Sequence, residues 1–286
     1  MAVSLTAPAA FRFTFEASPE RHLRAAELLG PGADRTDDPR EQLPSVLTTL
    51  MRDIDMPAGI GAVGFGAADV DDLVIAAEWL ARHRQPPVLL IGHSLGEVVA
   101  ACLSGVINEQ DACRMLADRA RLMGEQPGGS MLAVRQAPET ITPRLPADVS
   151  LAAVNAPNLC IVSGPNEAVD RLAAELRSAG EDTIRLQTSH AFHSSMMDGV
   201  VEPFATALQD MSLRAPKVPI ISTVTAQPAT PEALTDPRYW ADQIRKPVLF
   251  SPALSHLLDG APRVFLECGP SQNLTAAARQ HRINGK

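Results

Sequence analysis

Several things are scarce in this chain of 286 residues, and each scarcity closes off a class of protein. Cysteine stands at only four positions, Cys102, Cys113, Cys160 and Cys268, with no Cys-x-x-Cys pair. Three of these sit in apolar segments, where cysteine behaves as a small hydrophobe, so no metal site is expected and the chain reads as one for a reducing, cytoplasmic setting. No window of about 18 apolar residues occurs, and the first residues lack a charged start followed by an apolar core, so neither membrane spanning nor export is expected. Lysine and arginine form no stripe or block, and with a formal net charge of -8 the chain does not suit nucleic acid as a partner. Repeats and low-complexity tracts are missing as well. What remains is a globular composition, 45% hydrophobic and 20% charged, sufficient for one large core or a core plus a subdomain.

Periodicity then divides the chain. Before residue 70, Ser18-Pro19 opens a helix that runs to Gly30, and Asp38-Pro39 with Glu41 opens another carrying Leu43, Val46, Leu47, Leu50, Met51 and Ile54 on one face. Glycines at 59, 61, 64 and 66 break the pattern, and a third helix from Asp69 feeds an apolar strand at 88–91. Between 131 and 188 the order is strand 131–134, short helix, strand 151–155, strand 160–163, helix 167–179, strand 183–186, the βαββαβ order of a ferredoxin-like subdomain. Beyond it follow a helix at 196–211, a strand at 218–222, a helix from about Pro237 and a strand at 264–266. The expected class is α/β: a hydrolase-like parallel-sheet core (75–129 and 190–286) with an inserted ferredoxin-like subdomain (130–189), preceded by a mostly helical N-terminal segment (1–74).

The pentapeptide Gly92-His93-Ser94-Leu95-Gly96 lies between the apolar strand and an amphipathic run. A strand that ends in a tight Gly-x-Ser-x-Gly turn and enters a helix exposes the serine hydroxyl, while the N–H of the next residue, Leu95, points into the same space as half of an oxyanion hole. Serine is a poor nucleophile at neutral pH and needs a base within hydrogen-bond reach. Of seven histidines, His22, His83 and His281 lie in charged stretches, His256 falls within a helix, and His93 leaves the chain beside the nucleophile in the wrong direction to take its proton. His190 and His193, in the loop after the last strand of the subdomain, remain as candidates.

The segments GHSLGEVVAACLSGV, DRARLM, GGSMLAV, LAAVNAPNLCIVSGP, TSHAFHSSMMD, YWADQIRKPVLF and FLECGPSQNL stand in order over about two thirds of the chain. From Val88 to His281 the sequence resembles the acyltransferase domain of modular polyketide synthases, related to malonyl-CoA:acyl carrier protein transacylase. The resemblance implies Ser94 as the acyl-accepting nucleophile, His193 as its base, and His190 and His93 as structural or substrate-side residues. It further implies that Arg119 forks onto the free carboxylate of a malonyl group, a planar bidentate clamp that lysine would not supply. In the family the His-Ala-Phe-His form goes with malonyl rather than methylmalonyl units, because Phe192 leaves less room for a methyl. Gln243 matches a position whose backbone carbonyl orients the histidine, which would explain the lack of an acidic triad member. No bound cofactor is implied; a coenzyme A thioester is the substrate, and the phosphopantetheine of an acyl carrier protein is the acceptor.

The family opens with a Phe-Pro-Gly-Gln-Gly-like segment that supplies the second oxyanion donor, and this chain has none. Residues 1–74 resemble instead the C-terminal helical part of iron-containing alcohol dehydrogenases of the hydroxyacid-oxoacid transhydrogenase type, without their nucleotide-binding glycines or metal-binding histidines. The two resemblances together imply a chimera. A substitute donor could come from a strand at Phe11-Arg12-Phe13-Thr14-Phe15 or from the glycine-rich run 59–66. Loss of one donor costs on the order of a hundredfold to a thousandfold in rate. Three functions stay open on the sequence: a malonyl-type acyltransferase, a serine hydrolase of small esters or thioesters, and a fusion without a competent site. Arg119 separates the first two, since a carboxylate clamp is pointless for apolar esters.

Overall fold

The computed structural model describes residues 88–259, 263–268 and 272–281, together with 19, 20, 23, 26 and 37–42. The helix from Asp69, the aromatic stretch 11–15 and the glycine-rich run 59–66 lie outside the described residues. The chain divides into two compact units, Met1–Pro86 with Val264–Leu274 and Pro87–Arg263 with Thr275–Lys286.

In the first unit the helix starts at Pro19 and Pro39 are in place: Pro19, Glu20, Leu23 and Ala26 are helical, as are Pro39, Arg40, Glu41 and Gln42. Asp38 caps the second of these, its Oδ1 accepting from the Arg40 N–H at 2.9 Å and its carbonyl from Glu41 at 3.0 Å. The strand expected at 264–266 is not there. Val264, Phe265 and Leu266 are exposed and belong to no strand among the described residues, because an apolar triplet becomes a strand only where a neighbouring backbone offers its hydrogen bonds.

The second unit holds strands β1 (Leu90–Ile91), β2 (Ser130–Val134), β3 (Ser150–Ala156), β4 (Leu159–Gly164), β5 (Thr183–Arg185) and β6 (Ile220–Ile221). Its main helices are α1 (Leu95–Leu103), α2 (Glu109–Gly124), α3 (Asn166–Ser178), α4 (Asp198–Leu208), α5 (Pro237–Arg245) and α6 (Phe250–Leu258). Strands β1 and β6 pair in parallel, Leu90 opposite Ile220 and Ile91 opposite Ile221. Both are shorter than the apolar runs that contain them; Val88 is exposed and stays out of the pairing.

Around this pair α1, α2, α4 and α5 bury Val98, Met115, Phe204, Leu208, Trp240 and Ile244 in one cluster. Each fully buried side chain of this kind contributes roughly 1.5–3 kcal/mol of burial. Helix α2 starts where Asn108 accepts from the Asp111 N–H at 2.8 Å, with Glu109 and Asp111 in its first turn against the dipole. Its buried face is Ala112, Met115, Arg119 and Leu122, so an arginine occupies a position in an otherwise apolar stripe.

Strands β2 to β5 form a separate antiparallel sheet in the order β3-β4-β2-β5. Period-two alternation puts Leu132 and Val134 of β2 and Cys160 and Val162 of β4 on one face, where they pack with Val169, Leu172 and Leu176 of α3. The free edge of β3 receives the segment between α5 and α6: Val154 N–H donates to the Val248 carbonyl and Val248 N–H to the Ala152 carbonyl, both at 2.9 Å. That pairing fixes the chain at Lys246, which matters for the site.

Candidate active site

The turn between β1 and α1 is sterically determined at its first glycine. A Cβ on Gly92 would lie 2.2 Å from the backbone nitrogen of Glu97 and the carbonyl carbon of Gly96, whereas one on Gly96 meets nothing within 4 Å. Gly92 therefore permits the close approach, and Gly96 serves no steric need. Ser94 takes the strain of the bend, with φ 51° and ψ -111°, a conformation that side-chain-bearing residues avoid and that collects at functional sites. Leu95 N–H sits at the first helical position, where it has no intrahelical acceptor.

His193 also holds a left-handed backbone, φ 57°, and is 5% exposed. Its Nδ1–H donates to the carbonyl of Lys246 at 2.9 Å. A carbonyl can only accept, so this bond fixes the tautomer and leaves Nε2 free to accept the Ser94 hydroxyl at 2.8 Å. The separation is inside the window of about 2.6–3.2 Å for a nucleophile and its base. Burial first, and the Arg119 guanidinium second, drive the imidazole from its ordinary 6.5 down to about 3, so the ring is neutral.

Arg119 is 6% exposed. Its Nη2–H donates to Ser94 Oγ at 3.1 Å and its Nη1–H to Gln243 Oε1 at 2.7 Å. Burial drives its pKa down to about 10, against the opposing pull of Glu97, so the guanidinium remains charged at neutral pH.

The residues singled out in the sequence separate into two groups. Ser94, His193, Arg119 and Gln243 converge on one point. Gln243 joins through its side chain, however, and the carbonyl that holds His193 is that of Lys246, with the Gln243 carbonyl a lesser influence. The two positions are three apart along the chain, and sequence spacing alone did not distinguish them. His190 and Phe192 line a cleft of about 280 Å³ with Leu95, Leu116, Arg119 and Met123. His190 donates from Nε2 to the Gln126 carbonyl at 3.1 Å and accepts the Ser189 hydroxyl at Nδ1, 2.8 Å away. His93 is turned elsewhere: its Nε2 bonds Asn155 Oδ1 of β3 at 2.8 Å, and its ring lies against Phe250. His281, expected at the surface, is held between the hydroxyls of Ser251 and Ser255, each 3.2 Å away.

Sequence reasoning missed Glu97, which is fully buried. Its carboxylate accepts from the Tyr239 hydroxyl, from Thr223 Oγ1 at 2.7 Å and N–H at 3.4 Å, and from Gln243 Nε2 at 3.1 Å. Burial raises its pKa and these donors oppose the rise. The available signal was a lone charge in the otherwise apolar run of α1. Among the described residues no group of histidine, cysteine, aspartate or glutamate is placed to hold a metal ion, and no helix is long and apolar enough to cross a membrane.

Chemically, the arrangement is a hydroxyl with its base, one backbone donor beside it and a buried cation that lines a cleft. The profile of the family described as acyl transferase domain matches residues 73–283. The spectinabilin polyketide synthase system protein NorB of Streptomyces orinoci is 40% identical over 197 residues, which are 68% of this chain and 9% of that protein. The chain thus spans under a tenth of that relative's length. Among solved structures, the acyl transferase domain of SpnD, in complex with 2-(pent-4-yn-1-yl)malonyl, is 40% identical with a TM-score of 0.68, covering 72% of this chain and 50% of that one. A loading acyltransferase from the avermectin modular polyketide synthase is 25% identical with a TM-score of 0.71, covering 97% and 86% respectively. Fold, motif order and family profile agree, and the chain belongs to the acyl transferase domain family of modular polyketide synthases.

Proposed function

We propose that this domain moves a malonyl-type acyl group from coenzyme A to the phosphopantetheine thiol of an acyl carrier protein, through an ester on Ser94. One observation carries the reading: a buried guanidinium stands 3.1 Å from the same hydroxyl oxygen that stands 2.8 Å from an imidazole. An apolar ester offers a buried cation nothing, whereas a malonyl carboxylate offers two planar acceptors. The substituted malonyl carried by the SpnD domain supports the same class of cargo.

Ser94 Oγ attacks the thioester carbonyl as its proton passes to His193 Nε2, and the oxyanion forms against Leu95 N–H. Collapse expels the coenzyme A sulfur, which takes the proton from His193, and leaves the acyl ester on Ser94. The carrier thiol then gives its proton to His193 while its sulfur attacks the ester, and collapse returns the proton to Ser94 Oγ. During both steps the cargo carboxylate replaces Ser94 Oγ as the partner of Arg119 Nη2. Pairing the guanidinium with an anion also offsets one of the influences that hold His193 so far down, which makes the ring a better base when acidic cargo is in place. Phe192 at the cleft wall limits the space beside the α-carbon and favours unbranched malonyl. By its strand order and its helix on one face, the unit 130–189 is read as a ferredoxin-like insertion in a hydrolase-like core.

The test offers malonyl-CoA and p-nitrophenyl acetate in parallel, with and without carrier protein. Arg119→Ala is expected to lower kcat/KM for malonyl transfer by about tenfold to a hundredfold, the worth of a charge-assisted pair. Ester cleavage that does not depend on Arg119, with no saturable malonyl transfer, would assign the site to hydrolysis instead.

A further inference from the structure

Gln243 has the shape of a relay. Its Oε1 accepts from Arg119 Nη1 at 2.7 Å, while its Nε2 faces two acceptors, Glu97 Oε2 at 3.1 Å and the Ser94 carbonyl at 3.3 Å. Turned over, the amide would set its oxygen against a carboxylate and a carbonyl and its N–H groups against a guanidinium, so every contact would be repulsive. The amide of a glutamine has no preference of its own between the two orientations; Arg119, which can only donate, and the Ser94 carbonyl and Glu97, which accept, impose it together.

Glu97 is the nearer and the charged of the two acceptors. It lies in the first turn of α1, three residues after the nucleophile, where nothing in the proposed chemistry requires an acid. Four donors converge on its two oxygens, from Tyr239, from Thr223 twice and from Gln243, which is the arrangement an ionised carboxylate needs. Tyr239 is the only tyrosine in the chain, and its hydroxyl is committed here and to Ser222 Oγ, 2.6 Å away.

Resting on the malonyl reading, we propose that Glu97 is a positioning residue for Arg119: by accepting only, it locks the Gln243 amide with its carbonyl toward the guanidinium, and so aims the fork at the cargo carboxylate. The role is selectivity. Glu97 makes no hydrogen bond to Ser94 Oγ and does not line the cleft; its hydrogen-bonded link to Arg119 runs through Gln243, and its charge also draws on the guanidinium.

The experiment measures kcat/KM for malonyl-CoA and for acetyl-CoA in Glu97→Gln, Gln243→Leu, the double variant and Arg119→Ala, with thermal melting of each. Glu97→Gln keeps the shape and removes the accept-only property. Its malonyl-to-acetyl ratio is expected to fall about tenfold to a hundredfold, the scale of a misaimed contact, through KM for malonyl-CoA more than through kcat. Gln243→Leu is expected to give the same fall, and the double variant no further one, because both cut one chain of contacts. If Glu97→Gln loses its cooperative melt, Gln243→Leu carries the test alone. An unchanged ratio in the folded relay variants, with a collapsed ratio in Arg119→Ala, overturns the relay and leaves the malonyl reading standing. An unchanged ratio in Arg119→Ala overturns both.

Discussion

The two sheets of the larger unit are built on opposite terms. The four-stranded sheet β3-β4-β2-β5 joins strands that all lie within residues 130–185, its apolar face is continuous with that of α3, and its strands carry no non-glycine residue with left-handed φ. The parallel pair β1 and β6 has two residues in each strand, drawn from positions 130 apart in the register Leu90–Ile220. All the chemistry gathers at its end. Among the described residues the non-glycine positions with left-handed φ are Ser94, His193 and Ala226, none of them within 130–189. Buried Glu97, Arg119, His193 and Gln243 belong to the same side. Strain and buried charge are tolerated next to the small sheet because apolar packing elsewhere supplies the stability, a division that mutations can test.

The sharpest break comes from Ser94→Ala, which leaves both sheets intact and is expected to lower acyl transfer by on the order of 10⁴ to 10⁶ while the melting curve moves little. Leu172→Ala in α3 reverses the pattern. Its fully buried side chain should cost about 2–5 kcal/mol in urea unfolding, with the malonyl-to-acetyl ratio unchanged in the folded fraction. Gly92→Ala is expected to damage both properties, because its Cβ has no room against Glu97 and Gly96; a loss of about 1–3 kcal/mol should accompany a fall in kcat. Gly96→Ala, facing open space, should stay within about 0.5 kcal/mol of the parent.

The smallest effect concerns pH. Since His193 is held neutral down to about 3, the acid limb of kcat/KM should lie well below the 6.5 of an ordinary imidazole. Between those two values the unfolded chain binds a proton that the folded chain refuses. The contribution of this ring to stability is therefore complete above 6.5 and is lost as the pH falls through that interval. Urea midpoints of the parent and of His193→Gln across pH 4 to 7 check the sign, and a parallel pH slope in the variant would contradict it.

The same contrast explains what could be read from the amino-acid order. Strands and helix of the 130–189 unit fall within a residue or two of their periodic runs, since local alternation decides them: β2 at Ser130–Val134, α3 at Asn166–Ser178. At the small sheet the runs 88–91 and 218–222 yield only Leu90–Ile91 and Ile220–Ile221, and 264–266 yields no strand, because pairing there depends on partners far along the chain. In the site, Ser94, His193 and Arg119 were visible through motif and resemblance. Glu97 was in view as a letter and hidden as a role, for its burial and its donors Thr223 and Tyr239 come together only through folding. Lys246 was missed for a different reason: it acts through a backbone carbonyl, which leaves no trace in residue type.

The central claim is that Ser94, activated by His193 and steered by Arg119, becomes acylated by acidic thioesters. Intact-mass measurement of the protein after brief incubation with malonyl-CoA, followed by peptide mapping, tests it most directly. A single malonyl adduct on the peptide containing Ser94, absent in Ser94→Ala and strongly reduced in Arg119→Ala, is the predicted result; an adduct that persists in Ser94→Ala, or none in the parent protein, would contradict it.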